Sequence, residues 1–142
     1  MLIRKMQYQD IEQVCKIEKD LFSLPWKPSD FSSVIQNDNN IYLVAEMNKE
    51  IIGYCGLWGI IDEGHINNVA ISKEYQGRGV GYSMLTELIR LARAKGLRSF
   101  TLEVRLSNEA AIKLYKKIGF NNGGIRPNFY SFPKEDALIM WL

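Results

Sequence analysis

Three glycines spaced two residues apart, Gly77, Gly79 and Gly81, separate a strand-like segment from a long amphipathic helical segment. The apolar run before them covers residues 65–71, and the helical run after them covers residues 80–95. A glycine loop at the start of a helix leaves backbone N–H groups without intrahelical acceptors, and the helix dipole adds about half a positive charge there. Such loops bind phosphate groups. We therefore expect this chain to handle a phosphate-bearing cofactor.

The loop departs from the two best-known phosphate-binding motifs. In the Rossmann fingerprint G-x-G-x-x-G, two residues separate the last two glycines, whereas here only Val80 separates Gly79 from Gly81. A Walker loop ends in Gly-Lys-Ser/Thr, which does not follow Gly81. A plain strand-to-helix turn is the remaining alternative, but such a turn needs one glycine and not three.

The composition is that of an ordinary globular protein. The 142 residues are enough for one domain with its own core, and we expect a single domain over residues 1–142. The hydrophobic share of 46% and the charged share of 24% exclude disordered and fibrous classes. No apolar run approaches the ~20 residues that span a bilayer, and the charged N-terminal segment is unlike a secretory signal. We expect a cytoplasmic protein that does not bind membranes or, with a net charge of +2, nucleic acid.

The cysteines and the histidine give no sign of a metal site. Cys15 and Cys55 form no CxxC pair and lie in different predicted elements, so we expect both to fill the core. His65 is the only histidine, and no Cys/His cluster accompanies it. A lone histidine just after a turn is more often structural or solvated, which is our expectation here.

Hydrophobic periodicity and turn residues predict an α+β chain in the order β-α-α-β-β-β-α-β-α-β-β. The predicted strands are residues 2–5, 41–47, 51–60, 65–71, 98–105, 120–126 and 137–142. The predicted helices are residues 10–22, 29–36 and 80–95, and a fourth from Ser107 or Asn108 to Ile118. Turns are expected at residues 48–50 and 62–64, and a loop containing Pro127, Phe129, Tyr130 and Pro133 before the last strand.

The segment Gln76-Gly77-Arg78-Gly79-Val80-Gly81 resembles the acetyl-CoA signature Q/R-x-x-G-x-G/A of the GNAT family of N-acetyltransferases. The resemblance covers nearly the whole chain, including the order of its elements. It is closest to ribosomal-protein-alanine N-acetyltransferases of the RimI type, on the pair Pro25-Trp26 and on residues 66–71, 102–108 and 111–120. It implies the GNAT fold, a mixed sheet of about seven strands that splays between the fourth and fifth and is flanked by about four helices.

The resemblance implies acetyl-CoA as the acetyl donor, with no metal. The pyrophosphate would rest on the loop amides, and the pantetheine arm would run beside the strand that ends at Ile71. An N–H group near Ile71 would polarise the thioester carbonyl. Asn108 would contact the cofactor, although helix capping is an equal alternative. The implied cofactor-binding residues are Val69, Ala70, Ile71, Gln76, Gly77, Arg78, Gly79, Val80, Gly81, Tyr82 and Asn108.

The resemblance also implies direct attack of an amine on the thioester, with Glu103 as general base and Tyr115 as general acid. A surface charge is the alternative for Glu103, and a core aromatic is the alternative for Tyr115. The implied acceptor is a protein N-terminal amine, specifically the N-terminal alanine of a small-subunit ribosomal protein. An N-terminal amine, with a pKa of about 7.7–8.0, loses its proton at neutral pH for about 1 kcal/mol, whereas lysine, at about 10.4, needs about 4–5 kcal/mol.

Two segments, residues 23–27 and 126–134, are candidates for the walls of the acceptor slot. Trp26, Phe129 and Tyr130 would contact the peptide there, or alternatively cap an edge of the core. The family run Arg-x-Asn-Tyr-Tyr reads Arg-Pro-Asn-Phe-Tyr at residues 126–130, which leaves the peptide preference open.

Two other functions remain open from the sequence. One is acetylation of a small amine or a lysine side chain, for which an acidic pocket would be needed. Its candidate residues are Asp62, Glu63, Glu135 and Asp136. The other is a non-catalytic acetyl-CoA-binding module, which would not need the Glu103 and Tyr115 pair.

Overall fold

The computed structural model describes all 142 residues and confirms the predicted order of elements. The strands are β1 (Leu2–Lys5), β2 (Asn40–Met47), β3 (Glu50–Ile60), β4 (Glu63–Ile71), β5 (Ser99–Arg105), β6 (Asn121–Tyr130) and β7 (Glu135–Trp141). The helices are α1 (Ile11–Leu21), α2 (Pro28–Ile35), α3 (Val80–Ala94) and α4 (Glu109–Ile118). Single 3-10 turns, Tyr8–Asp10 and Lys73–Tyr75, precede α1 and follow β4. None of the helices combines the length and the apolar character needed to cross a membrane.

The seven strands form one mixed sheet in the order β1-β2-β3-β4-β5-β7-β6. The β4–β5 pair is parallel, and every other neighbouring pair is antiparallel. Helix α3 makes the crossover between β4 and β5, as a parallel connection requires. The predicted mixed α+β sheet is confirmed.

Helices cover both faces of the sheet and enclose two cores. On one face α3 and α4 bury apolar side chains against the strands, including Met84, Leu85 and Leu88 of α3. On the other face α1 and α2 do the same with Val14 and Phe31. Both cysteines are buried, as predicted: Cys55 lies in the first core and Cys15 in the second.

The alternation of side chains between the two faces of the sheet is interrupted in β4 at Asn67. Gly56 of β3 pairs with Asn68 and Leu57 pairs with Ile66, so Asn67 is the extra residue of a β-bulge. Ile66 faces the α3/α4 core before the bulge, and Val69 faces the same core after it. These residues are three apart and would face opposite sides in a regular strand, so the bulge resets the alternation.

Parallel pairing between β4 and β5 ends just before this bulge. The last pair is Ile66 with Leu102. Beyond it β4 stays beside β3 as far as Ile71, and β5 stays beside β7 as far as Arg105. The backbone of β4 on its β5 side therefore has no strand partner from Asn67 onward. This is the predicted splay between the fourth and fifth strands.

The turn predicted at residues 62–64 is wrong for two of its three residues. Glu63 and Gly64 already pair with Ser99 and Phe100, so the turn consists of Ile61 and Asp62. A Cβ atom on Gly64 would lie 2.9 Å from the Phe100 ring. This glycine therefore allows a close approach within the sheet and does not mark a turn.

The predicted loop around Pro127 is also wrong, because β6 continues to Tyr130. Arg126 pairs with Ala137 and Tyr130 pairs with Glu135, so the residues between them form a wide bulge. At its centre Asn128 adopts a φ of 55°, and its N–H group donates to Asp136 Oδ1 at 2.8 Å. The connecting turn is residues 131–134.

A partly buried ion pair joins the first strand to the start of α1. Arg4 donates from both terminal nitrogens to the carboxylate of Asp10, each at 2.8 Å, and also to Glu46 at 2.9 Å. The N–H group of Gln7 donates to the same Asp10 carboxylate. The hydrogen bonds from Arg4 are the main cause that lowers the pKa of Asp10.

We predict that Asp10→Asn lowers the free energy of unfolding at pH 7 by about 1–3 kcal/mol, because Arg4 loses one of its two charged acceptors and keeps only Glu46. Since the pKa of Asp10 is lowered in the folded state, its stabilisation is present above the unfolded value of about 3.9 and disappears as the pH falls through the folded value. Urea unfolding should therefore show the two proteins converging below about pH 4.

The matched control is Glu87→Gln, which breaks a surface ion pair with Arg90 on α3. This substitution should leave the free energy of unfolding unchanged both at pH 7 and below about pH 4. A constant difference between wild type and Asp10→Asn across the pH range would contradict the proposed role of the Asp10 charge.

Candidate active site

A cleft of about 620 Å³ opens where β4 and β5 diverge. Leu102 and Val104 of β5 face the α3/α4 core, so Glu103 between them faces the α1/α2 side. Tyr115 reaches the cleft from the opposite side, since it belongs to α4 and to the α3/α4 core. The two side chains line one cleft because the sheet is open between the strands at this point.

Glu103 is held by two basic side chains and is only 12% exposed. Its Oε2 lies within hydrogen-bond distance, 2.6 Å, of His65 Nε2. Its Oε1 lies 3.5 Å from Nη1 of Arg126. Sequence reasoning found no partner for His65, which the parallel register places beside Thr101, two residues before Glu103. The His65 side chain remains 36% exposed, so the pair connects the cleft to solvent.

Tyr115 is 7% exposed and packs against Phe120, with ring centroids 6.0 Å apart. Its hydroxyl has no hydrogen-bond partner within the protein, and no buried polar atom of the structure lacks one, so this hydroxyl reaches the surface of the cleft. Burial raises its pKa well above the ordinary tyrosine value, which keeps the hydroxyl protonated. The core-aromatic alternative therefore describes the ring, while the hydroxyl is available for chemistry.

The glycine loop carries a row of unpaired backbone N–H groups. The first hydrogen bond of α3 runs from Ser83 N to Gly79 O, and the amides of residues 77–82 have no acceptor within the chain. Gly77 and Gly79 have φ values of 75° and 84°, which favour glycine, and open space lies where their Cβ atoms would stand. These features fit an anionic group such as a pyrophosphate.

The side chains around the loop serve other purposes. Val80 is buried in the α3/α4 core. Gly81 allows close packing of α4, because a Cβ atom there would lie 3.0 Å from Leu114.

Gln76 donates from Nε2 to the carbonyl oxygen of Ile71 at 2.9 Å. The ring of Tyr82 lies 4.8 Å from Lys117 Nζ. Arg78 stacks on Tyr75, with 5.3 Å between its Cζ and the ring centroid.

The remaining cofactor candidates occupy the strand and helix ends beside the cleft. Val69 and Asn108 line it. Asn108 also caps α4, since its Oδ1 accepts the N–H group of Ala111 at 3.2 Å, so the two alternatives for this residue are compatible. Ala70 is buried in the α1/α2 core, which leaves only its backbone for a ligand.

The two segments expected to wall the acceptor slot meet across the cleft. The hydroxyl of Ser23 donates to the carbonyl oxygen of Phe132 at 2.6 Å. Trp26, Phe129 and Tyr130 line the same cleft, and the Phe129 and Tyr130 rings stack edge to face at 5.0 Å. Burial and, after it, the charge of Glu103 raise the pKa of Tyr130 to about 12.

The acidic residues considered for a small-amine or lysine pocket do not converge. Glu135 accepts hydrogen bonds from Ser107, and Asp136 accepts one from Asn128. Asp62 lies in the β3–β4 turn and Glu63 begins β4, at the other end of that strand from the splay. None of the four lines the cleft.

A model of the acetyltransferase (GNAT) family matches residues 11–120, which is more than half of the chain. The chain belongs to the GNAT family. Enzymes of this family generally use acetyl-CoA, and the predicted family and fold are confirmed. The chain is therefore an acyltransferase.

Several GNAT relatives match over nearly the full length. A Bacillus subtilis protein, named provisionally as a [ribosomal protein bS18]-alanine N-acetyltransferase, is 42% identical over 99% of this chain and 93% of its own. The Escherichia coli protein of that name is 33% identical over 99% and 95%. The crystal structure of the Escherichia coli ribosomal-protein-S18-alanine N-acetyltransferase superposes with a TM-score of 0.90 at 32% identity, covering 99% of this chain and 92% of that one.

We predict that Gly77→Ala weakens binding of coenzyme A about tenfold, because an alanine at positive φ adds about 1–2 kcal/mol of strain to the loop. Isothermal titration calorimetry with coenzyme A measures the effect. Gly96→Ala is the matched control, since Gly96 follows the other end of α3 with a φ of 100° and equally open space. Equal weakening by both substitutions would mean that the effect does not arise at the loop.

Proposed function

We propose that this protein transfers the acetyl group of acetyl-CoA to the N-terminal α-amine of a protein, namely the N-terminal alanine of a small-subunit ribosomal protein. The observation that carries the proposal is the shared cleft at the β4–β5 splay, into which Glu103 and Tyr115 reach from opposite faces of the sheet. The full-length similarity to enzymes named for bS18 alanine acetylation supports the choice of acceptor.

The unpaired amides of the glycine loop fit the pyrophosphate of acetyl-CoA, and the unpaired edge of β4 after Asn67 fits an extended arm beside it. Acetyl-CoA supplies an activated acetyl thioester when it is bound. The backbone of Val69, Ala70 and Ile71 would align that arm as an added strand does. The loop residues Gln76 to Tyr82 would hold the phosphates through their main chain, since their side chains are engaged elsewhere or point to solvent.

Glu103 is proposed as the general base that removes a proton from the acceptor amine, directly or through water. His65 and Arg126 each contact one oxygen of its carboxylate, and these two contacts hold the Glu103 side chain in one orientation in the cleft. A modest base is sufficient, because an N-terminal amine has a pKa of only about 7.7–8.0. A lysine acceptor would need a stronger one.

Tyr115 is proposed as the general acid toward the departing sulfur. Its raised pKa keeps the proton on the hydroxyl until charge develops nearby. A thiol has a pKa of about 8.5, below that of any ordinary tyrosine at about 10, so full proton transfer to the thiolate is uphill. The first contribution of Tyr115 is therefore a hydrogen bond to the sulfur. When the hydroxyl gives its proton to the departing thiolate, water returns a proton to the phenolate after coenzyme A leaves.

Thiol release from acetyl-CoA, measured with three acceptors, tests the function. The acceptors are a peptide with a free N-terminal alanine, an N-blocked peptide with one lysine, and a polyamine. The proposal expects turnover with the first alone. Robust turnover of the polyamine alone would establish the small-amine alternative, and coenzyme A binding without any turnover would establish the binding module.

We predict that Glu103→Gln lowers kcat about 10²-fold near neutral pH and moves the pH–rate profile to higher pH. Without the base, the rate depends on the fraction of acceptor amine that is already neutral. This fraction is one half at the amine pKa of about 7.7–8.0 and levels off about one pH unit above it. Rates from pH 6 to 9 should show the shift, and Glu87→Gln serves as the remote control. An unchanged profile would exclude Glu103 from the mechanism.

We predict that Tyr115→Phe lowers kcat about 10²-fold while the affinity for coenzyme A is retained, because only the hydroxyl is removed. Steady-state kinetics and calorimetry on the same preparation separate the two effects. Tyr8→Phe, an exposed tyrosine beside α1, is the control. A loss of coenzyme A binding with unchanged kcat would show that Tyr115 acts in packing.

A further inference from the structure

Glu18 is a buried carboxylate without a cationic partner. It lies on α1 and is 4% exposed. One oxygen accepts the hydroxyl of Tyr54, and the other accepts the N–H group of Trp26 at 2.9 Å. No lysine, arginine or histidine of the chain forms an ion pair with it. A buried carboxylate is costly unless an opposite charge or several hydrogen bonds compensate it, and the two hydrogen bonds of Glu18 fill about half of its acceptor positions.

Glu18 lines the cleft on the acceptor side. It shares that wall with Trp26, one of the residues expected to contact the peptide. Its partner Tyr54 pairs with Ala70 across β3 and β4. The carboxylate therefore stands over the part of β4 that lies beyond the bulge, where the edge of the strand is free.

The groups around Glu18 add no positive charge to this wall. Tyr54 on β3 and Cys15 on α1 are neutral, because burial raises the pKa of each. Tyr42 on β2, also neutral through burial, donates to Asn68 Oδ1. Farther along the cleft, Glu103 has its own basic neighbours, His65 and Arg126, and Arg105 pairs with Glu135. The phenols of Tyr115 and Tyr130 are neutral.

We propose that Glu18 binds the protonated N-terminal amine of the acceptor peptide and so distinguishes a free N-terminus from an acetylated one. The inference rests on the proposed function. A carboxylate offers about four acceptor positions, and an ammonium group carries three N–H donors. Two positions of Glu18 are used, so two remain for the incoming cation. Glu18 is a binding residue in this scheme, and removal of the proton stays with Glu103.

Product release follows from the same contact. Acetylation converts the ammonium group into a neutral amide with one N–H donor. The charge-assisted hydrogen bonds to Glu18 are then lost, and these are about twice as strong as neutral ones. The product should therefore bind less tightly than the unreacted acceptor.

Peptide binding to the coenzyme A complex tests the proposal without turnover. Calorimetry compares a peptide that begins with alanine and its N-acetylated form on three proteins. Wild type should prefer the free peptide by about tenfold or more. Glu18→Gln should lose the preference, because the amide keeps the shape but not the charge. Tyr54→Phe should keep it, because the carboxylate remains.

A second measurement uses wild type alone, in case Glu18→Gln fails to fold. Affinity for the free peptide should fall as the pH rises above about 8, where the amine loses its proton. The acetylated peptide corrects for titration of the enzyme itself, including Glu103 and His65.

Equal affinity of wild type for both peptides, or loss of the preference in Tyr54→Phe as well, would overturn the role of Glu18. A large fall in kcat in Glu18→Gln with an unchanged preference would also overturn it. If wild type acetylates the free peptide but binds the free and acetylated peptides equally well, the proposed function stands and only the role of Glu18 is rejected. Absence of both binding and turnover rejects the proposed function and this inference together.

Discussion

The end of parallel pairing between β4 and β5 is the constraint on which the site depends. Were the two strands paired beyond Ile66 and Leu102, the sheet would separate Glu103 on one face from Tyr115 on the other. That pairing ends just before the bulge at Asn67, and the bulge returns the side chains of Val69 and Ile71 to the α3/α4 core. The core is thus kept continuous on both sides of an opening.

Two carboxylates line the cleft, and they differ in whether basic side chains surround them. Glu103 has a histidine on one oxygen and an arginine near the other, and it lies on an element that borders the opening. Glu18 accepts only from neutral donors and lines the acceptor side of the cleft beside Trp26. A cationic acceptor is attracted most strongly to the carboxylate whose charge no side chain offsets. Recognition and proton removal can then reside on separate residues, and neither has to serve both.

Local patterns in the sequence predicted the elements that are themselves local. The period of α3 and the Asn108 cap depend on neighbours in the chain. The errors concern long-range contacts. Gly64 reads as a turn residue until Phe100 is placed beside it, and Pro127 reads as a loop residue until the bulge opposite Asp136 is known. The partners of His65 and Glu18 could not be inferred for the same reason, since Glu103 and Tyr54 come from other elements.

The three glycines of the loop meet two different physical requirements, which the sequence pattern alone does not distinguish. Gly77 and Gly79 provide positive φ angles where no side chain obstructs the approach of an anion. Gly81 instead brings α3 close to Leu114, the residue before Tyr115 on α4. A Cβ atom at position 81 would lie 3.0 Å from the end of the Leu114 side chain, so Leu114 would have to shift. The third glycine therefore helps to set how closely α4 approaches the start of α3, and with it the spacing between the two groups proposed to hold the phosphates and the sulfur of acetyl-CoA.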